Sequence, residues 1–166
     1  PHAAQLRSLI LVSMGVVLGF PLFTSLALQH ASSAHMIVFV GLLPLSTALF
    51  AVWRGGERPK PLFWAFALVG AISVASYALL NSDGAPWYSD VLMLAAIVVC
   101  GMGYAEGAKL SRELGDWQVI SWALLLSLPV ILPLALWSWP SPIAPVHSNA
   151  WWSLAYVSVF SMLIGF

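Results

Sequence analysis

Short polar loops divide this chain into six apolar runs, each close to the width of a lipid bilayer, and very few folds accept that pattern. A helix needs about 17 to 25 predominantly apolar residues to cross a hydrocarbon core of about 30 Å. The runs cover residues 8–29, 35–53, 62–80, 91–108, 117–139 and 150–166. None has the apolar-polar alternation of a barrel strand, so a transmembrane β-barrel is not expected. Composition agrees: 61% of the residues are hydrophobic and 7% are charged, against about 25% charged in soluble domains. The expected fold is an all-α integral membrane protein with six transmembrane helices, and its first partner is the lipid bilayer.

Charge placement then gives the chain a direction. The stretch LLPLSTALFAVWRGGERPKP, residues 42–61, carries Pro44 inside an apolar run, ends that run at Trp53, and continues into Arg54, Glu57, Arg58 and Lys60. An aromatic followed by basic residues marks a helix leaving the membrane on its cytoplasmic side. Arg7 precedes the first run, Lys109 and Arg112 follow the fourth, and the loops 30–34, 81–89 and 140–149 contain no Lys or Arg. Loops 54–61 and 109–116 are therefore expected to be cytoplasmic, in a multi-pass protein of a bacterial inner membrane. Trp53, Trp64, Trp87, Trp117, Trp137, Trp139, Trp151 and Trp152 fall near the expected interfaces, and Trp122 is inset. Formal net charge is zero and the basic residues sit in short loops, so nucleic acid is not an expected partner.

An internal echo bears on what such a bundle does. SMGVVLGF, residues 13–20, and SMLIGF, residues 161–166, align Gly19 and Phe20 with Gly165 and Phe166. By the loop count the first run points outward and the sixth inward, and a repeat of opposite orientation is characteristic of inverted-topology transporters.

Residues 31–59, ASSAHMIVFVGLLPLSTALFAVWRGGERP, resemble the fourth helix of the EamA family in the drug/metabolite transporter superfamily. Ser32, Ser33 and Ala34 match its small-residue start, Pro44 its mid-helix proline, and Gly56, Glu57 and Arg58 its closing turn. His35 departs from the small or aliphatic residue common there. Gly70 fits the helix that follows. The resemblance implies ten helices in two inverted five-helix repeats. Residues 1–80 would then hold the last three helices of the first repeat, 81–89 an external loop, and 90–166 the first three helices of the second. The chain begins at Pro1 and stops at Phe166 within an apolar run, so a fragment of a longer protein is expected. The first, second, fourth and sixth runs would line the path.

Within this frame the candidate substrate-binding residues are Glu106, Tyr104, Gly103, Gly41, Pro44 and Gly19. Glu106 is an acid within an apolar run, where an ionised side chain costs about 2.5 to 3.5 kcal/mol on insertion scales. It either lines a path or pairs with Lys109 three residues on. Gly15 with Gly19, and Gly103 with Gly107, have the spacing that lets helices approach closely in lipid. Pro21, Pro44, Pro129 and Pro133 lie within runs, and each removes a backbone donor. Pro44 frees the carbonyl of Val40 beside Gly41.

Other chemistries are poorly served. His30 and His35 flank the loop between the first two runs, too few ligands for a metal site, and interfacial hydrogen bonding is expected of them. Cys100 is the sole cysteine, which excludes an internal disulfide. No metal, cofactor or enzymatic centre is expected. The reading is a transporter that exports small metabolites or drugs by alternating access; the alternative is a non-transporting scaffold or sensor subunit on the same fold.

Overall fold

The computed structural model describes residues 2–80, 84–138, 148–157 and 159–160. Its regular elements are helices: α1 (Ala3–Val12), a π-helical segment (Ser13–Gly19), α2 (Phe20–Leu28), α3 (Ser33–Val40), α4 (Leu43–Gly55), α5 (Pro61–Leu80), α6 (Trp87–Leu114), α7 (Asp116–Trp137) and α8 (Ser148–Tyr156). No strand occurs among the described residues. Five spans, Gln5–Leu28, Ser33–Gly55, Pro61–Ala78, Trp87–Leu114 and Asp116–Trp137, are long and apolar enough to cross a membrane. The chain is thus an all-α integral membrane protein. Two compact units divide it, residues 1–128 and 129–166. In the second unit the described part of the sixth apolar run comprises α8, whose Trp151, Trp152 and Leu154 are exposed, and residues 157 and 159–160 beyond it. The echo at residues 161–166 lies outside the described residues, as does most of the loop before α8.

The first unit is built around α6. Its 28 residues extend about 42 Å at 1.5 Å per residue, so both ends pass beyond a hydrocarbon core. The fourth apolar run marks only the middle of this helix. α1, the π segment, α2, α3 and α4 all pack on α6, while α5 packs on α3 and α4. One apolar cluster, Ala27, Met36, Phe39, Met93, Ala96 and Ile97, joins α2, α3 and the first half of α6. At the opposite end Leu9, Val12, Leu110, Val119 and Ala123 join α1, α6 and the first half of α7. Leu62, Phe66, Leu68, Val69, Ile72 and Leu80 of α5 are exposed around the helix, as expected of a surface solvated by lipid tails.

Lipid is as apolar as leucine, so close backbone approach rather than hydrophobic burial must hold these helices together. Two crossings show how. A Cβ at Gly101 would meet Ser46 of α4, including its Cβ at 2.7 Å and carbonyl carbon at 2.9 Å. The Ser46 hydroxyl donates to the Ile97 carbonyl at 3.1 Å across the same crossing. On the other side of α6, a Cβ at Gly15 would meet the Val99 carbonyl oxygen and the Gly103 backbone.

Proline explains the breaks. Pro21 cannot donate to the carbonyl one turn back, and the turn before it is widened: the Phe20 N–H reaches the Gly15 carbonyl, five residues away. Pro44 opens α4 as its second residue. Before it, the Gly41 N–H reaches the Val38 carbonyl at 3.0 Å and the Leu42 N–H reaches Phe39 at 2.9 Å. These are tightened three-residue turns, so the second span is two helices joined at Gly41–Leu42. The span ends at Gly56 with φ of +66°, a left-handed position that glycine takes without the penalty of a Cβ.

Cys100 is 1% exposed. We expect a maleimide to leave it unmodified in the folded protein and to label it after denaturation, as read by mass spectrometry.

Candidate functional site

The broken second span opens a groove against α6. A cavity of about 610 Å³ is bounded by Val40, Leu43, Pro44, Thr47, Ala48 and Ala51, by Tyr104 of α6, by Phe63 of α5, and by Glu57 and Pro59 of the intervening loop. Its volume lies in the range of small-molecule sites, about 300 to 1,000 Å³. Its walls are apolar, with Thr47, Tyr104 and Glu57 supplying the polar groups. The proline shapes the wall directly, because the chain turns at Gly41–Leu42 before α4 starts again.

Beyond the groove, three elements meet in a polar cluster at the basic end. Arg54 Nε donates to Glu106 Oε2 at 2.7 Å, and the Ser8 hydroxyl donates to Glu106 Oε1 at 2.6 Å. Both carboxylate oxygens of Glu106 are thereby engaged, and the residue is 2% exposed while Arg54 is 38% exposed. Arg112 Nη2 donates to Glu57 Oε1 at 2.8 Å, and Gln5 Nε2 to Glu113 Oε2 at 3.0 Å. The beginning of α1, the end of α4 and the end of α6 therefore share one end of the first unit. The Lys109 pairing read from spacing gives way to partners 52 and 98 residues away. Glu106 is turned inward between α1 and α4, whereas Lys109 is exposed.

The other end is also polar. His35 Nε2 lies 2.9 Å from Asp90 Oδ1, and His30 packs edge-on against Tyr88 at 5.1 Å between ring centroids. His35 is 2% exposed, so the hydrogen bond expected of it is made within the protein, to Asp90 of α6. α3 starts at Ser33, with Ser32 accepting from the His35 N–H as its cap, and this carries the imidazole under α6.

The six candidate residues occupy several places. Pro44 and Tyr104 line the same groove. Glu106 forms the polar cluster. Gly41 sits in the break, where a Cβ would lie 3.5 Å from Val74 of α5. Gly103 lies at the crossing with Gly15, where a Cβ would come 2.7 Å from Val16. Gly19 borders a second, smaller apolar cavity of about 260 Å³ with Met14, Leu18, Leu22, Phe23, Val99 and Met102. The sequence reading missed Thr47, Arg54, Ser8, Gly101 and Asp90. Thr47, a hydroxyl one turn after Pro44 in an apolar run, was the most visible of these.

Bilayer-length helices, ionised groups kept to their ends, and a proline-broken helix along an apolar groove define a polytopic membrane protein with a candidate small-molecule site. No family model matches the chain, and no solved structure matches it. Over all 166 of its residues it is 60% identical to a protein of Bacillus subtilis (strain 168) named "uncharacterized transporter YdeK". The chain spans 58% of that relative's length.

Proposed function

We propose that this chain is part of a membrane transporter that moves small solutes across a bacterial inner membrane by alternating access, exporting metabolites or drugs. The observation that carries the reading is the groove beside Pro44 and Tyr104, which is walled by α4, α5 and α6 and reaches Glu57 of the loop that follows α4. The name of the 60% identical relative supports the same class. Of the EamA features, the Pro44 break and the left-handed Gly56 turn belong to the stretch that carries the resemblance. On that resemblance, residues 1–80 and 90–166 are parts of two inverted repeats.

In this scheme the basic end is cytoplasmic, in keeping with the bias of Arg and Lys toward cytoplasmic loops. Glu106, bridged to Arg54 and Ser8, ties α6 to α4 and α1 and closes that end, while Arg112 and Glu57 tie the α4–α5 loop to α6. Tyr104 and Phe63 form the aromatic wall of the groove, and Thr47 offers a hydroxyl to the solute. Opening toward the cytoplasm requires these ties to separate, and the two half-helices joined at Gly41–Leu42 supply the joint.

The test compares metabolites inside and outside cells lacking the whole gene with those of cells expressing it, and with an Ala48→Trp variant. A tryptophan at position 48 fills part of the groove. At least one solute is expected to build up outside the expressing cells and to return to the deletion level with Ala48→Trp at equal membrane abundance. Identical profiles in all three strains, with the protein abundant in the membrane, favour the scaffold or sensor alternative.

A further inference from the structure

We propose that the groove beside Pro44 takes amphipathic cations, an apolar or aromatic body carrying one protonated amine, and that the amine displaces Arg112 from Glu57 as the solute seats. The inference rests on the reading of this groove as the solute site and adds the chemistry of what enters it. Among the described residues that line the groove, Glu57 carries a charge and no Lys, Arg or His is present. The other polar groups are the Thr47 and Tyr104 hydroxyls and the carbonyl of Val40, to which Pro44 has no N–H to donate. Carboxylates and carbonyls only accept hydrogen bonds, and hydroxyls accept as readily as they donate. An ammonium therefore finds acceptors here, whereas an anion would face Glu57 with no lining cation to offset it.

A specific turn brings the carboxylate to the groove. Gly56 takes a φ of +66°, and the Glu57 N–H then donates to the Ala51 carbonyl at 3.2 Å. The loop is thereby folded back over the end of α4, where Ala51 itself lines the groove, and Pro59 continues the same wall. Glu57 sits at the solvent edge, with its side chain 46% exposed. The rest of the lining is aliphatic apart from Thr47 and the rings of Tyr104 and Phe63. Aromatic rings attract cations as well as covering apolar surface, so both halves of an amphipathic amine meet matching surroundings in one groove.

Arg112 holds the place of the amine. Its Nη2 donates to Glu57 Oε1 at 2.8 Å, and the two side chains are 64% and 46% exposed. An exposed pair of this kind is weak, because water solvates both partners when they separate. Glu106 offers no such exchange: it is 2% exposed, and Arg54 and Ser8 occupy both of its oxygens. A solute amine therefore competes at Glu57 and leaves Glu106 alone. Seating unties the α4–α5 loop from α6 while the Arg54–Glu106 tie persists, so the occupied groove has one of its two ionic ties already open.

The test uses the whole protein in lipid nanodiscs at neutral pH and three ring-fluorinated probes of similar shape: phenethylammonium, phenethyl alcohol and phenylacetate. Binding is read by ¹⁹F NMR against protein-free nanodiscs, which report partition into lipid, and against Ala48→Trp, whose side chain fills part of the groove. The ammonium is expected to bind about tenfold more tightly than the alcohol, the low end for a hydrogen bond to a charged group, and phenylacetate not to bind. Glu57→Gln, at an exposed loop position, should bring the ammonium to the affinity of the alcohol, and Arg112→Ala, which removes the competitor, should raise the affinity of the ammonium. Equal binding of ammonium and alcohol, a preference that survives Glu57→Gln, or no gain in Arg112→Ala would each overturn the proposal. Equal binding that Ala48→Trp abolishes removes the charge preference and leaves the groove as a solute site, whereas no Ala48→Trp-sensitive binding of any probe removes both.

Discussion

Replacing Arg54 with Ala is expected to destabilise the first unit by about 3 kcal/mol, at the low end of the range for breaking a buried ion pair. The magnitude follows from an asymmetry in the pair. Glu106 is 2% exposed and Arg54 is 38% exposed, so losing Arg54 leaves an inward-turned carboxylate without its counter-charge and with the Ser8 hydroxyl as its remaining hydrogen-bond partner. The converse change, Glu106→Gln, leaves Arg54 free to extend to the surface and keeps an oxygen for the Ser8 hydroxyl. It is expected to cost about 1 kcal/mol, the usual net value of one hydrogen bond. Combining the two removes the stranded charge, and the double variant should recover most of the Arg54→Ala loss. Unfolding in mixed detergent and dodecyl sulfate micelles, followed by tryptophan fluorescence, reads all three. Equal losses in the two single variants would show that the burial asymmetry does not govern the pair.

Gly101→Val is the second substitution expected to do serious damage, at about 3 kcal/mol or more, because overpacking a tight site costs about 1 to 3 kcal/mol even where side chains can yield. Here the obstruction includes the Ser46 carbonyl carbon, 2.9 Å from the new Cβ, and the α4 backbone must retreat from α6. Ser46→Gly should therefore rescue Gly101→Val only in part, since the backbone remains. Gly107→Ala is the control. Its Cβ would meet only Val12 Cγ2 at 3.7 Å, an ordinary contact, and no loss of thermal stability is expected in detergent. A tolerated Gly101→Val with a damaging Gly107→Ala would mean that α4 and α6 do not cross at Ser46.

These two sites also mark what a sequence of this kind can and cannot disclose. The spans were legible because hydrocarbon thickness dictates their length, and the break at Pro44 because a missing N–H has a fixed consequence one turn back. Glu106 stood out as an acid in an apolar run, but its partners did not. Spacing along one helix pointed to Lys109, while tertiary packing supplied Arg54 and Ser8 from two other helices. Gly101 escaped notice because its small partner, Ser46, lies on another helix and leaves no periodic mark in either run. His35 was legible as a hydrogen-bonding residue at the end of a run, but its partner was not, because Asp90 comes from α6, 55 residues away. Helix ends were longer than the apolar runs in α6, since its terminal turns carry ionic groups that hydropathy counts as loop.

The groove beside Pro44 carries the central claim, and its contact with solute can be measured directly. In the whole protein with Cys100→Ser, a cysteine at Thr47 places a thiol on the groove wall. Once the exported solute is known from the metabolite comparison, the labelling rate of Thr47→Cys by a small maleimide is measured in proteoliposomes with and without that solute, alongside its flux. Saturating solute is expected to slow labelling at least tenfold, and completed labelling to stop flux. A labelling rate indifferent to the solute, with flux persisting after complete modification, would contradict that claim.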